Sequence, residues 1–85
     1  MDKVIKCLLM DVDNVIISEV VEVDSQLGDP NCKLIKPYRF ISEDNMSPWP
    51  KATDQTELMI RSEDILTIAD PKPEVIEKYL ELTGE

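Results

Sequence analysis

The sequence predicts a mainly β fold: a small, strongly bent five-stranded barrel over about residues 4–69 and a carboxy-terminal α-helix over about residues 72–83, within one domain of 85 residues. Three observations lead there. Short apolar, β-branched runs recur between turn-rich breaks in the order β-β-β, long loop, β-β. In the second of these runs charged and apolar residues alternate with a period of two. The last apolar stretch switches to a helical period behind a pair of prolines.

Residues 4–10 are a compact apolar run (Val4, Ile5, Cys7, Leu8, Leu9, Met10) interrupted by Lys6, and residues 11–14 carry turn chemistry, so a strand and a tight turn are expected. Residues 15–23 are dense in β-branched side chains, with Val21 and Val23 alternating with Glu22 and Asp24 as in a half-buried strand. That run is long for one straight strand, and a bulge near Ser18 and Glu19 would let it serve both sides of a small barrel. The densest turn signal, Gly28, Asp29, Pro30 and Asn31, precedes a third strand in which Leu34, Ile35, Tyr38 and Phe40 interleave with Lys33, Lys36 and Arg39. Pro37 cannot donate to a ladder, so this strand needs an edge position or a bulge there.

Residues 42–55 are polar, hold Pro48 and Pro50 around Trp49 and show no period; they read as a long connection that the lone tryptophan pins to the body. Residues 57–61 and 65–69 are short apolar runs around Ser62, Glu63 and Asp64 and read as a hairpin. Asp70 can cap a helix, Pro71 and Pro73 suit its first turn, and Gly84 stops it. Val75, Ile76, Tyr79, Leu80 and Leu82 form its apolar stripe.

Eighteen Asp and Glu against nine Lys and Arg give a net charge of −9, which repels free nucleic acid and anionic membranes at long range. The excess sits at the two ends of the chain. Residues 31–61 hold Lys33, Lys36, Arg39, Lys51 and Arg61 against Glu43, Asp44, Asp54 and Glu57, which leaves room for a local basic face. Histidine is absent, which removes the usual general base and the commonest zinc ligand, and the two glycines cannot build a phosphate-cradling loop. An enzyme is therefore not expected, and neither is a cofactor or a metal. Asp11 with Asp13, and Glu63 with Asp64, lack the spacing of a cation loop and read as turn formers. Cys7 and Cys32 have no zinc or redox spacing and read as reduced thiols. No stretch has signal-peptide character or approaches the roughly 20 apolar residues of a membrane span, so a cytoplasmic location with no membrane partner is expected.

Two features can bind. Lys33, Lys36 and Arg39, with Tyr38 among them, combine phosphate contacts with a stacking ring as single-stranded nucleic acid requires, although the same alternation also makes an ordinary solvated sheet face. Trp49 between two prolines suits a lid over the core or an anchor for a protein partner.

Residues 58–68, Leu58-Met59-Ile60-Arg61-Ser62-Glu63-Asp64-Ile65-Leu66-Thr67-Ile68, resemble the second signature of Sm and LSm proteins, an apolar strand, Ile-Arg-Gly, a turn and a second apolar strand. Ile60 and Arg61 match, Ser62 stands at the usual glycine, and Glu63 and Asp64 make the turn acidic. Residues 9–24 lie against the first signature with Asp24 and Asn31 as its polar positions, although the turn glycine is replaced by Val12 and the loop to Asn31 is longer. Over residues 4–69 the chain is similar to small uncharacterised Sm-like proteins of marine cyanophages. The resemblance implies a bent five-stranded barrel of SH3-like and Sm-like type, a ring of identical subunits joined edge to edge, and nucleic acid held at the inner loops. In such a ring Asn31 and Arg61 of every subunit converge on one pore, with Asp24, Lys33, Lys36 and Tyr38 nearby, so a local site can act within an acidic particle.

The function expected is thus a non-enzymatic, ring-forming binder of single-stranded RNA or DNA, with a role in phage nucleic-acid processing in the cytoplasm of an infected host cell. The alternative, from another class, is an SH3-like barrel that serves as a phage structural or accessory protein and binds protein partners through Trp49 and its acidic surface. Salt separates the two, because phosphate contacts weaken as salt rises and an apolar contact does not.

Overall fold

The computed structural model describes residues 4–24, 26–27, 29–42 and 44–84; the turn glycine expected at Gly28 lies outside them. The described chain is mainly β, with one antiparallel sheet of six strands and one carboxy-terminal helix. The strands are β1 (Ile5–Asp11), β2 (Asn14–Glu22), β3 (Cys32–Ser42), β4 (Asn45–Pro48), β5 (Glu57–Ile60) and β6 (Thr67–Ala69), and α1 is Pro73–Thr83. The sheet runs β4-β3-β2-β1-β6, with β5 also on β3. Because β4 pairs with residues 38–42 of β3 and β5 with residues 32–35, the two lie end to end along one edge. Six segments therefore make five rows.

Two expectations are corrected. Residues 42–55 hold a strand, β4, where polarity and prolines suggested only a connection. Its strand character comes from its partner, since Met46 sits opposite Phe40 and is buried against the second core. Residues 57–61 and 65–69 do not pair as a hairpin: β5 joins β3, β6 joins β1, and a 3₁₀ turn at Ser62–Asp64 carries the chain from one sheet edge to the other.

The bend follows from what meets on one face. Leu8, Ile16, Cys32 and Leu34 from β1 to β3 form a buried cluster, and Ile60, Ile65 and Trp49 pack onto it. Residues near both edges thus reach one core, which an apolar sheet this narrow achieves only by curling around it. The opposite face holds Ile17 and Met46, covered by Val75 and Tyr79 of α1, with Ile5, Cys7, Tyr38, Phe40 and Leu80 around them.

The irregularity expected near Ser18 is present, but the extra residue belongs to β3. Ile17 pairs with Tyr38 and Glu19 with Ile35, so Lys36 and Pro37 together oppose Ser18. Pro37 needs no ladder bond in a bulge, and Lys36 absorbs the distortion at φ 53°, the left-handed region that side chains disfavour. The bulge also explains why Cys32 and Leu34 serve the first core while Tyr38 and Phe40 serve the second: one added residue reverses the alternation.

α1 begins at Pro73, with Lys72 as N-cap and no side-chain cap; Asp70 pairs instead with the Lys6 ammonium. It ends on Gly84 in the left-handed conformation (φ 79°), whose amide returns to Glu81 and Leu80 carbonyls. Cys7 and Cys32 are free thiols on opposite faces, and burial pushes both above their ordinary range, with the charge of Glu22 adding to the rise at Cys32. Among the described residues no helix is long and apolar enough to cross a membrane.

Candidate nucleic-acid interface

The end of the sheet where β2 passes to β3 and β5 passes to the 3₁₀ turn brings two of the expected residues together. Asn31 is half-buried just before β3, and Arg61 is exposed just after β5. Pairing of Cys32 with Ile60 sets their backbones side by side, and the Asn31 amide donates to Ile60 O (3.1 Å). The Asn31 side chain then clamps the turn from both sides: Oδ1 accepts from the Ser62 amide (2.8 Å) and Nδ2 donates to Ser62 Oγ (3.0 Å). The Val23 amide donates to Asn31 O (3.1 Å), which closes the 24–30 loop at its foot and leaves Asp24 exposed beside it.

After these bonds Asn31 keeps one amide hydrogen and one oxygen lone pair, and the Ser62 hydroxyl keeps its hydrogen and one lone pair. The two side chains therefore offer both donors and acceptors. Arg61 is not free within it. Its Nε donates to Asp64 Oδ2 at 3.0 Å and its Nη2 to Asp64 Oδ1 at 3.4 Å. That hydrogen bond, followed by the charges of Asp64 and Glu63, pushes the guanidinium further up from its ordinary value.

Loss of the clamp has a measurable result. Asn31→Ala is expected to cost about 1–2 kcal/mol, the worth of two part-exposed hydrogen bonds. It should also free the Ser62 amide, so that hydrogen exchange at Ser62 rises relative to that of residues in β1 and β2.

The other expected residues lie elsewhere. Lys33 is on β3, opposite Met59 and ion-paired with Glu57 of the neighbouring strand. Lys36 sits at the bulge and its ammonium reaches Thr83 O (3.4 Å) at the end of α1. Tyr38 belongs to the second core: its ring meets Tyr79 edge-on (centroids 5.9 Å apart, 86°), and its hydroxyl donates to Leu82 O (3.4 Å). Lys36 and Tyr38 thus close the carbonyl end of the helix, a position cations and donors favour.

A further region has pocket character. A cleft of about 310 Å³ opens beside the β3 bulge, between β4 and β5, lined by Trp49, Pro48, Tyr38, Asp54 and Thr83 among others. Trp49 itself is half-buried against the first core. Asp11 serves its turn, its Oδ1 accepting from the Asp13 amide (2.9 Å), and among the described residues no group of three or more His, Cys, Asp or Glu is placed to hold a metal.

Sequence reasoning missed Ser62 and Asp64 as working parts of the corner. The spacing of Arg61 and Asp64 was a usable signal, since a 3₁₀ turn eclipses side chains three apart.

A family profile spans this whole arrangement, matching residues 3–84. The chain belongs to DUF6561, a family of unknown function. The match takes in both cores, the Asn31 and Arg61 loops and α1, so this DUF6561 domain is a single unit of sheet and helix together. Comparison with curated proteins finds no match to it.

Proposed function

We propose that this DUF6561 chain is a non-enzymatic, Sm-like, ring-forming protein that binds single-stranded RNA or DNA. Asn31, Ser62 and Arg61 are its contacts, Asp24 lies beside them, Lys33 assists from β3, and Lys36 and Tyr38 hold the helix that backs the sheet. The observation that carries the reading is the two-way clamp between Asn31 and Ser62, which joins loops 31 residues apart into one polar corner. An unpaired base edge, which carries both donors and acceptors, is its natural complement.

Ring formation is supported by the sheet edges. Among the described residues the β4/β5 edge and the β6 edge each have one side with no strand on it, and Met59, Leu66 and Ile68 near them are substantially exposed. Pairing one edge with the other on the next copy is heterologous, satisfies the open ladders and closes by rotation. One corner per monomer is too little to hold a polyanion against a chain of charge −9, whereas a ring repeats it around one axis. A role in phage nucleic-acid processing belongs to the same proposal.

The cleft beside Trp49 favours a second reading, an SH3-like accessory barrel that takes a protein partner there. Titration of a short fluorescent oligo-uridylate separates them. Arg61→Ala should weaken binding by at least about tenfold across a ring, because the same charge-assisted contact is lost in every subunit. Its thermal midpoint should hold, because Arg61 is exposed and makes only a surface pair. Equal binding by parent and variant removes Arg61 from the site and moves the function to Trp49.

A further inference from the structure

We propose that Asp64 is a built-in competitor for Arg61, standing where a nucleic-acid phosphate would stand and lowering the affinity and the salt dependence of the site. The inference rests on the nucleic-acid reading above. Asp64 meets Arg61 through both carboxylate oxygens (3.0 and 3.4 Å), the two-point fork that a phosphate takes on a guanidinium. The 3₁₀ turn holds the carboxylate in position: the Asp64 amide donates to Arg61 O (3.0 Å) and the Ile65 amide to Ser62 O (3.1 Å). One end of the turn is clamped by Asn31 and the other is anchored where Ile65 packs on the first core. The competitor is therefore preorganised and needs no movement to return.

Its strength is bounded. The Arg61 and Asp64 side chains are 48% and 51% exposed, and a pair this open is worth at most about fivefold in an equilibrium constant. A ligand phosphate can thus displace it, at a cost. The exchange also changes the ions. A free arginine that takes a phosphate of a single strand releases about 0.7 of a counterion. Here the same step also breaks the exposed Arg61–Asp64 pair, which salt itself weakens, so part of the salt penalty on phosphate binding is offset. The parent should bind with a salt slope shallower than that of a variant in which Asp64 is neutral.

The test is a fluorescent oligo-uridylate titration over a range of salt with the parent, Asp64→Asn, Arg61→Ala and the double variant, and with Glu63→Gln as a control for net charge. Asp64→Asn should bind up to about fivefold tighter for each subunit engaged at low salt, with a steeper log–log slope. Glu63→Gln, which lacks the fork, should change both less, and Asp64→Asn should have little effect in the Arg61→Ala background. If the parent binds through Arg61 and Asp64→Asn leaves affinity and slope unchanged, the competitor is overturned and the nucleic-acid site survives. A gain of equal size in the Arg61→Ala background also overturns it, since the effect is then one of net charge. If neither the parent nor Asp64→Asn binds, the nucleic-acid reading fails and takes this inference with it.

Discussion

Tyr79→Ala is expected to remove about 3–5 kcal/mol of stability, the usual cost of deleting a buried aromatic side chain. A domain of 85 residues has about 4–13 kcal/mol in total, so the variant should lose about a quarter or more of its stability and be largely unfolded only where the parent lies at the low end of that range. The loss is large because Tyr79 joins three parts of the fold. Its ring is buried in the second core beside Ile17, Met46 and Val75, and it meets Tyr38 edge-on. Its hydroxyl accepts from the Glu19 amide (3.1 Å) and lies within donating reach of Ile35 O (3.0 Å) and Lys36 O (2.9 Å), the backbone groups around the bulge. Tyr79→Phe separates the two contributions. It keeps the packing and takes the polar cap from the bulge, at a cost of about 1–3 kcal/mol and a fall in thermal midpoint of at least about 4 °C. Ser18 Oγ, also within reach of Ile35 O (3.1 Å), softens but does not replace that loss. A Tyr79→Phe midpoint equal to the parent's would show that the hydroxyl does not stabilise the bulge.

Leu34→Ala is the second large effect, about 2–5 kcal/mol by urea unfolding. Leu34 is fully buried in the first core, between Val20 of β2 and Leu58 of β5 in the sheet. Its loss opens a cavity between the strand that leads out of Asn31 and the strand that leads into Arg61. The same variant should therefore raise hydrogen exchange at the Asn31 and Ser62 amides more than at the end of α1. Lys33→Ala, one residue away, removes only an ion pair with Glu57 whose side chain is half exposed, and should stay within about 1 kcal/mol of the parent. The contrast tests whether the first core, and not the surface charge on β3, holds the corner.

How much of this was legible in the sequence depended on whether the signal was local. The run to Met10 followed by Asp11 and Asp13 announces β1 and its turn, because an Asp hydrogen-bonding its own backbone two residues on is a local event. Pro37 required a bulge or an edge wherever its strand lay, and Gly84 marked the helix end through its own conformation. Partners were not legible. Nothing in the polar Asn45–Pro48 segment says that it lies along Tyr38 to Ser42, and two adjacent apolar runs look alike whether they pair together or separate to opposite edges. The stripe on α1 showed that Tyr79 faces inward, but the pairing of its hydroxyl with a bulge more than 40 residues away is a property of tertiary structure alone.

The site divides in the same way. Asn31 and Arg61 were singled out by the resemblance to the Sm signatures, and the pairing of Cys32 with Ile60 explains why they meet. Lys36 and Tyr38 were read with them because they share a strand, yet the bulge between Ile35 and Tyr38 turns the second half of that strand to the other face. Asp64 was noted as acidic, while its grip on Arg61 became visible only once the turn had a geometry.

The most direct test of the central claim is the mass of the protein in solution by multi-angle light scattering. A closed assembly of about five to seven copies of the 9.7 kDa chain is expected, with the Asn31 and Arg61 corners repeated around one axis. A 9.7 kDa monomer across the concentration range would contradict it, because a single corner with its arginine already paired to Asp64 has nothing to multiply.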